Sequence, residues 1–203
     1  AEFAALRRLC EATPFSEAAF EEASQPTVNP VLRAYRFFIR CRQSRAGTFK
    51  DFATLSRNRT RRGMNEQASA WIGGVDGLPA VHARLRRVVI LNQLAIEVIK
   101  SQDGPKTLYY CDPPYLHETR VVTDAYKFEM TDKQHEELLT VLAGISGKFL
   151  LSGYRSEMYD AAAVENGWVR HDFDLPNNAA GGDKKRRMTE CVWCNFTSRS
   201  LLR

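Results

Sequence analysis

The sequence predicts a mixed α/β protein in which a mostly helical, basic region precedes a three-layer α/β domain. Three observations carry this reading. Hydrophobic periodicity changes near Arg87, from helical spacing before it to short β-rich runs separated by helical stretches after it. Charge is uneven: residues 1–87 hold 15 Lys/Arg against 8 Asp/Glu, a net +7, whereas residues 88–203 hold 14 against 16, a net −2. The second part then alternates strand, helix, strand, helix and ends in further strands, the grammar of a sheet flanked by helices. Residues 1–86 are read as one region and 87–203 as another.

The elements follow in order. Residues 2–12 have Phe3, Leu6 and Leu9 on one helical face, and Thr13-Pro14 stops that helix. Ser16 is positioned to cap a short helix over 17–23. Gln25-Pro26 and Asn29-Pro30 are breakers, and residues 31–42 form a third helix with Leu32, Tyr35, Phe38 and Ile39 as its apolar stripe. Residues 43–69 are polar, Arg-rich and read as loop, with a short helix over 76–86 after Gly73-Gly74. Arg87–Leu91 is a β-rich run and Ala95–Lys100 a short helix ended by Asp103-Gly104-Pro105. Thr107–Cys111 is a buried strand. Thr131 caps a helix to Ala143 that buries Leu138, Leu139 and Leu142. Lys148–Ser152 is the next strand, Met158–Val164 a helix, and Trp168–Asp174 and Glu190–Phe196 are strands around a polar loop. Trp71, Trp168 and Trp193 read as packing anchors, and His135 as structural.

A chain of 203 residues can bury one sizeable core, alone or with a smaller subdomain. No apolar run approaches membrane-spanning length, and Arg7 and Arg8 interrupt the early apolar stretch, so neither a membrane span nor a signal peptide is predicted. The chain opens Ala-Glu-Phe rather than with Met, as a trimmed or partial sequence would. Five scattered cysteines argue against a disulfide framework and for a reducing compartment. Cys191 and Cys194 form a CxxC, but with no second CxxC or His pair they read as two thiols near a strand, and no metal is predicted.

The strongest signal is Asp112-Pro113-Pro114-Tyr115, directly after a strand. Open α/β sheets place ligands at the carboxyl ends of their strands. An ionised Asp112 only accepts hydrogen bonds. Pro114 holds Pro113 extended, which stiffens the direction of the Pro113 carbonyl. Two acceptors are thus set side by side, suited to an exocyclic amine, and Tyr115 adds a flat ring suited to stacking on a base. The adenine N6 lone pair is delocalised into its ring. Acceptors on its hydrogens favour a pyramidal nitrogen with the lone pair aimed at an electrophile such as a sulfonium methyl group.

The run Thr107–Arg120 around this tetrapeptide resembles motif IV of the Dam-like, D12-class DNA adenine N6-methyltransferases. Arg42-Gln-Ser-Arg45, the stretch Arg61–Glu66 through Trp71, Gly147–Tyr154 and Arg186–Asn195 resemble further parts of phage and bacterial members, so the resemblance spans nearly the whole chain. It implies a Rossmann-like methyltransferase core with a mostly helical target-recognition insertion. It also implies S-adenosylmethionine as cofactor, duplex DNA as partner, base flipping, and a cytoplasmic, bacterial or phage-encoded enzyme. The family opens with a Lys-containing motif and a glycine loop that holds the cofactor. Neither is present here, and Gly73-Gly74 and Gly181-Gly182 do not match. This implies a core lacking its N-terminal segment, roughly a quarter to a third of a typical domain, with cofactor contacts mostly outside the chain apart from Asp112 and Tyr110.

Further residues take roles beside this motif. Arg57, Arg59, Arg61 and Arg62 read as phosphate and base-edge contacts, with Arg42, Ser44 and Arg45 behind them. Asn177, Asn178, Arg186 and Arg187 lie in the late hairpin loop, which approaches DNA in related enzymes. Arg120 and Tyr126 follow the motif and are candidates to line the base pocket. Rival readings are methylation of another exocyclic amine, such as cytosine N4 or an RNA adenine, and a non-catalytic DNA-binding remnant.

Overall fold

Helix capping and buried aromatic side chains set the first part of the chain, and one mixed sheet sets the second. The computed structural model describes residues 1–53, 58–119, 128–176 and 187–197, with backbone alone at 175, 176, 187 and 188. The chain divides into two units, Ala1–Ile90 and Leu91–Arg203.

In the first unit α1 (Glu2–Ala12) ends at Thr13, whose hydroxyl donates back to the Leu9 carbonyl at 2.7 Å. The Ser16 hydroxyl caps α2 (Glu17–Glu22) by accepting from the Ala19 N–H at 3.4 Å. Asn29 caps α3 (Pro30–Arg42), accepting from Val31 and Leu32, with Pro30 in the first turn where its missing N–H has no cost. Such a cap contributes about 1 kcal/mol. Cys10, Phe20, Ile39, Trp71 and Val75 share one core. Its polar groups are satisfied: the Trp71 indole donates to the Thr13 carbonyl at 2.7 Å. The fully buried Gln43 accepts from the Ser16 N–H and donates to the Pro14 carbonyl.

Residues 43–69 differ from the expected loop. Thr60–Arg61 (β1) and Met64–Asn65 (β2) form a two-stranded hairpin, and α4 (Glu66–Asp76) starts directly after it, capped by Asn65. Gly73 and Gly74 do not end α4, because Trp71 and Val75 hold its buried face in the core. At Gly74 a Cβ would stand 3.0 Å from the Arg42 Nε of α3, so a larger residue there would require the Arg42 side chain to shift. The helix expected over 76–86 is α5 (Leu78–Leu85).

The expected strand at Arg87–Leu91 does not form. Val88 to Leu91 are 41–84 % exposed and join no sheet among the described residues. A β-branched run becomes a strand only where a partner edge and a packed face exist.

The second unit holds α6 (Ala95–Ser101), β3 (Leu108–Cys111), α7 (Asp132–Gly144), β4 (Lys148–Tyr154), α8 (Glu157–Asn166), β5 (Val169–Pro176) and β6 (Arg187–Cys194). The strand order is β3-β4-β6-β5, so the three segments expected to share a sheet do so. β3 and β4 are parallel, and β6 is antiparallel to both its neighbours. α7 begins with a complete capping box, Thr131 and Gln134 each bonding the other's backbone N–H. Ile99 of α6, Leu138, Leu139 and Leu142 of α7, and Tyr159 and Ala163 of α8 pack with Phe149, Leu151, Cys191 and Trp193 of the sheet. By strand alternation those sheet residues share one face. On the other face Leu108, Tyr110 and Phe173 are 56, 67 and 49 % exposed. Among its described residues this unit is therefore two-layered rather than three-layered. Cys191 and Cys194, three apart on β6, leave opposite faces of the sheet and do not converge on one ligand.

Two polar ties align this unit. The Asp103 carboxylate accepts from the Ser146 N–H and hydroxyl and from the Gly147 N–H, at 2.8 to 3.0 Å, joining the turns that enter β3 and β4. The Ser146 N–H foremost holds its carboxyl below the usual carboxylate range. Asp160 of α8 accepts from Arg170 of β5, Arg155 and the Trp193 indole of β6. Burial opposes its ionisation, yet the guanidinium bonds leave its carboxyl below the usual range.

Candidate active site at the carboxyl end of β3

Register places the motif. Cys111 of β3 pairs with Leu151 of β4, so Asp112 leaves the sheet level with Ser152. The Ser152 hydroxyl, 6 % exposed, lies 2.8 Å from Asp112 Oδ1 and 3.2 Å from the Cys111 carbonyl. Tyr115 meets Tyr154 edge-on, ring centroids 4.8 Å apart at 80°. Leu116 follows, 4 % exposed in the core beneath, and anchors the turn. His117 and Glu129 approach to 3.7 Å, tying the two ends of the segment between them.

The local electrostatics keep the tyrosine and the thiol neutral. Burial pushes the Tyr115 hydroxyl up to about 12, partly offset by its bond to Ser152. Burial alone pushes the Cys111 thiol up to about 11. Cys111 is therefore a poor nucleophile at neutral pH, and Tyr115 presents an uncharged ring and hydroxyl.

A cavity of about 950 Å³ opens beside the motif, within the second unit. Asp112, Pro113, Pro114 and Tyr110 form one wall, and Leu94 and Met130 lie among the apolar side chains of the rest. That volume falls at the upper end of the roughly 300–1,000 Å³ of small-molecule sites.

The other predicted site residues are spread more widely. Arg61 and Arg62 lie on the β1–β2 hairpin, whose two-residue turn, Arg62-Gly63, has φ of 56° and 71°. Both values are positive, as a type I′ turn requires. Arg59 precedes the hairpin, its side chain 75 % exposed and 4.0 Å from Glu66. Arg45 is exposed in a short helical turn. Arg42 donates to the Ala70 carbonyl of α4 at 3.2 Å. Ser44 is buried, its hydroxyl accepting from the Phe49 N–H and donating to the Cys41 carbonyl. Arg57, Arg120, Tyr126, Asn177, Asn178 and Arg186 lie outside the described residues, as does the Arg187 side chain. His135 is fully buried and shares a 2.8 Å hydrogen bond with Tyr159.

Ser152 and Tyr154 were not among the residues singled out from sequence. The available signal was a lone hydroxyl in the apolar run Phe149-Leu-Leu-Ser152, but its partner depends on strand register.

The site is thus an Asp-Pro-Pro-Tyr turn at the carboxyl end of a parallel strand in an α/β sheet, facing a cavity. Residues 78–174 match the family described as D12 class N6 adenine-specific DNA methyltransferase, and this segment belongs to that family. The match takes in α5 to β5 with the whole motif, Ser152 and Tyr154. The resemblances read at residues 42–71 and 186–195 lie outside it. No protein of curated function matches the chain.

Proposed function

We propose that the protein is a DNA adenine N6-methyltransferase that moves a methyl group from S-adenosylmethionine to the exocyclic amine of an adenine flipped out of duplex DNA. The observation that carries this is the Asp112 carboxylate, braced by Ser152 beside the Pro113 carbonyl and the Tyr115 ring, within a segment of the D12 class. In this reading Asp112 and the Pro113 carbonyl accept the two N6 hydrogens and turn the nitrogen lone pair outward. Tyr115 stacks on the base. The developing positive charge on nitrogen is stabilised by the two acceptors, which are already in place before reaction. A proton then leaves N6 through the acceptor side of the site.

The cavity beside Asp112 fits the cofactor in size and in its mix of apolar wall and carboxylate. Tyr110 and Asp112 line this cavity and are among the residues of this chain that would touch it. When bound, S-adenosylmethionine supplies an electrophilic methyl group on a sulfonium.

The second unit is read as the Rossmann-like core and residues 1–86 as the target-recognition region. The type I′ hairpin holds Arg61 and Arg62 at a stiff exposed tip, where they contact DNA with Arg59 and Arg45. Arg57, Asn177, Asn178, Arg186 and Arg187 are further DNA contacts, and Arg120 and Tyr126 belong to the base pocket. Arg42 and Ser44 act on DNA by fixing the chain behind the hairpin.

The test is incorporation of labelled methyl from S-adenosylmethionine into duplexes with and without adenine. Label in both, or in neither, counts against the reading. Calorimetry with S-adenosylmethionine measures whether residues 1–203 suffice for the cofactor. Weak binding that tightens on adding a glycine-loop segment of a D12-class enzyme is expected, and tight binding by these residues alone would relocate the cofactor contacts to them.

A further inference from the structure

We propose that Ser152 is a positioning residue that fixes the Asp112 carboxylate through one buried hydroxyl, an inference that rests on the methyl-transfer reading. Ser152 sits on β4, outside the tetrapeptide, and is 6 % exposed in a run of Phe149, Leu150 and Leu151. A buried hydroxyl without a partner is costly, so its place in this strand requires an acceptor. It has two in reach, Asp112 Oδ1 at 2.8 Å and the Cys111 carbonyl at 3.2 Å. Serine carries one proton, and the shorter contact to an ionised oxygen takes it. Tyr154, two residues along the same face, meets the Tyr115 ring edge-on.

β4 therefore holds both working side chains of the motif, Asp112 through the Ser152 hydroxyl and Tyr115 through the Tyr154 ring. With Oδ1 turned toward β4, Oδ2 is the oxygen aimed at the amine. Asp112 is exposed and loses that single orientation when the serine proton is removed.

Steady-state methyl transfer by the complete protein tests this. Ser152→Ala is expected to lower kcat roughly 10- to 100-fold, the loss that a misplaced group produces, while KM for DNA stays within about twofold. Ser152→Thr keeps the hydroxyl and is expected to recover kcat to within about fivefold. Ser152→Cys keeps the volume but donates weakly, so it follows the alanine variant; a purely packing role predicts that it follows threonine. Added to Asp112→Ala, Ser152→Ala costs nothing further, because the two act as one unit. An unchanged kcat for Ser152→Ala, or a loss that threonine does not relieve, overturns the inference. Crystal structures of the unsubstituted and Ser152→Ala proteins read it without any methyl transfer. Departure of the Asp112 carboxylate from its rotamer supports it, and retention of that rotamer overturns it. No methyl transfer by the unsubstituted protein overturns the methyl-transfer reading instead and leaves the Asp112 rotamer to decide on Ser152.

Discussion

The first unit, Ala1–Ile90, is held by helix caps and an aromatic core around Trp71, and carries the excess positive charge, +7 over residues 1–87. The second unit, Leu91–Arg203, is held by one sheet packed on three helices, is close to neutral, and carries the Asp112–Tyr115 turn. Long-range attraction to phosphate scales with net charge, whereas directed chemistry depends on fixed local geometry. The two demands are met by different parts of the chain, which makes them separable by substitution.

The sharpest break should come at Asp112. Asp112→Ala is expected to lower methyl transfer by more than roughly 1,000-fold, the scale of losing a pre-organised electrostatic contact. DNA affinity should stay within about threefold, because phosphate contacts dominate binding. Transfer assays and gel shifts on the same variant compare the two, and a parallel loss of binding would join what the comparison separates.

Next come the cores. Trp71→Ala and Trp193→Ala should each cost about 3–5 kcal/mol, since both indoles are buried. Hydrogen exchange during denaturant unfolding should show each loss concentrated in the unit that carries it. An equal loss of protection in both units would mean that they unfold as one.

A smaller effect is expected at the hairpin. Replacing Arg61 and Arg62 together by Ala should weaken DNA binding roughly 10- to 100-fold and reduce the salt slope by about 2, at near-normal kcat on saturating DNA. Affinity measured across a salt series checks this, and an unchanged slope would remove the hairpin from the phosphate contacts.

The smallest effect concerns acid stability. The Asp103 carboxyl is lowered in the folded protein. Its contribution is therefore complete above the unfolded value of about 3.9 and is lost as pH falls through the lower folded value. Asp103→Asn should lower stability slightly at neutral pH and flatten the acid limb, so that the two proteins converge as pH falls below the folded value. Unfolding midpoints between pH 2 and 7 test it.

Local signals were legible where local chemistry decides. Ser16 and Thr131 were legible as helix caps without reference to the rest of the chain, whereas Asn29-Pro30, read only as a breaker, also starts α3. The strands around Asp112 were legible from apolar runs, and the tetrapeptide from its own stereochemistry. Gly73-Gly74 misled because a breaker signal is weaker than the burial of Trp71 and Val75. Val88–Leu91 misled because β propensity contains no information about whether a partner edge exists. The second layer of helices over the sheet was likewise a matter of packing. Ser152 escaped notice because its importance rests on a parallel register that aligns positions 112 and 152, a pairing no spacing along the chain encodes.

The position of β6 bears on how such a chain is made. Among the described residues it is the last strand in chain order, yet it lies between β4 and β5. A polypeptide leaves the ribosome N-terminus first, so β3, β4 and β5 emerge before β6, the strand that joins β5 to β4. During that interval β4, the strand that presents Ser152 and Tyr154, has one unpaired edge, and the apolar side chains that Trp193 will cover are exposed. The sheet completes only when the β5–β6 hairpin adds to that edge through β6. This part of the protein is therefore the stretch where slow translation, a truncated message or a shortage of chaperone would leave the most incompletely folded material.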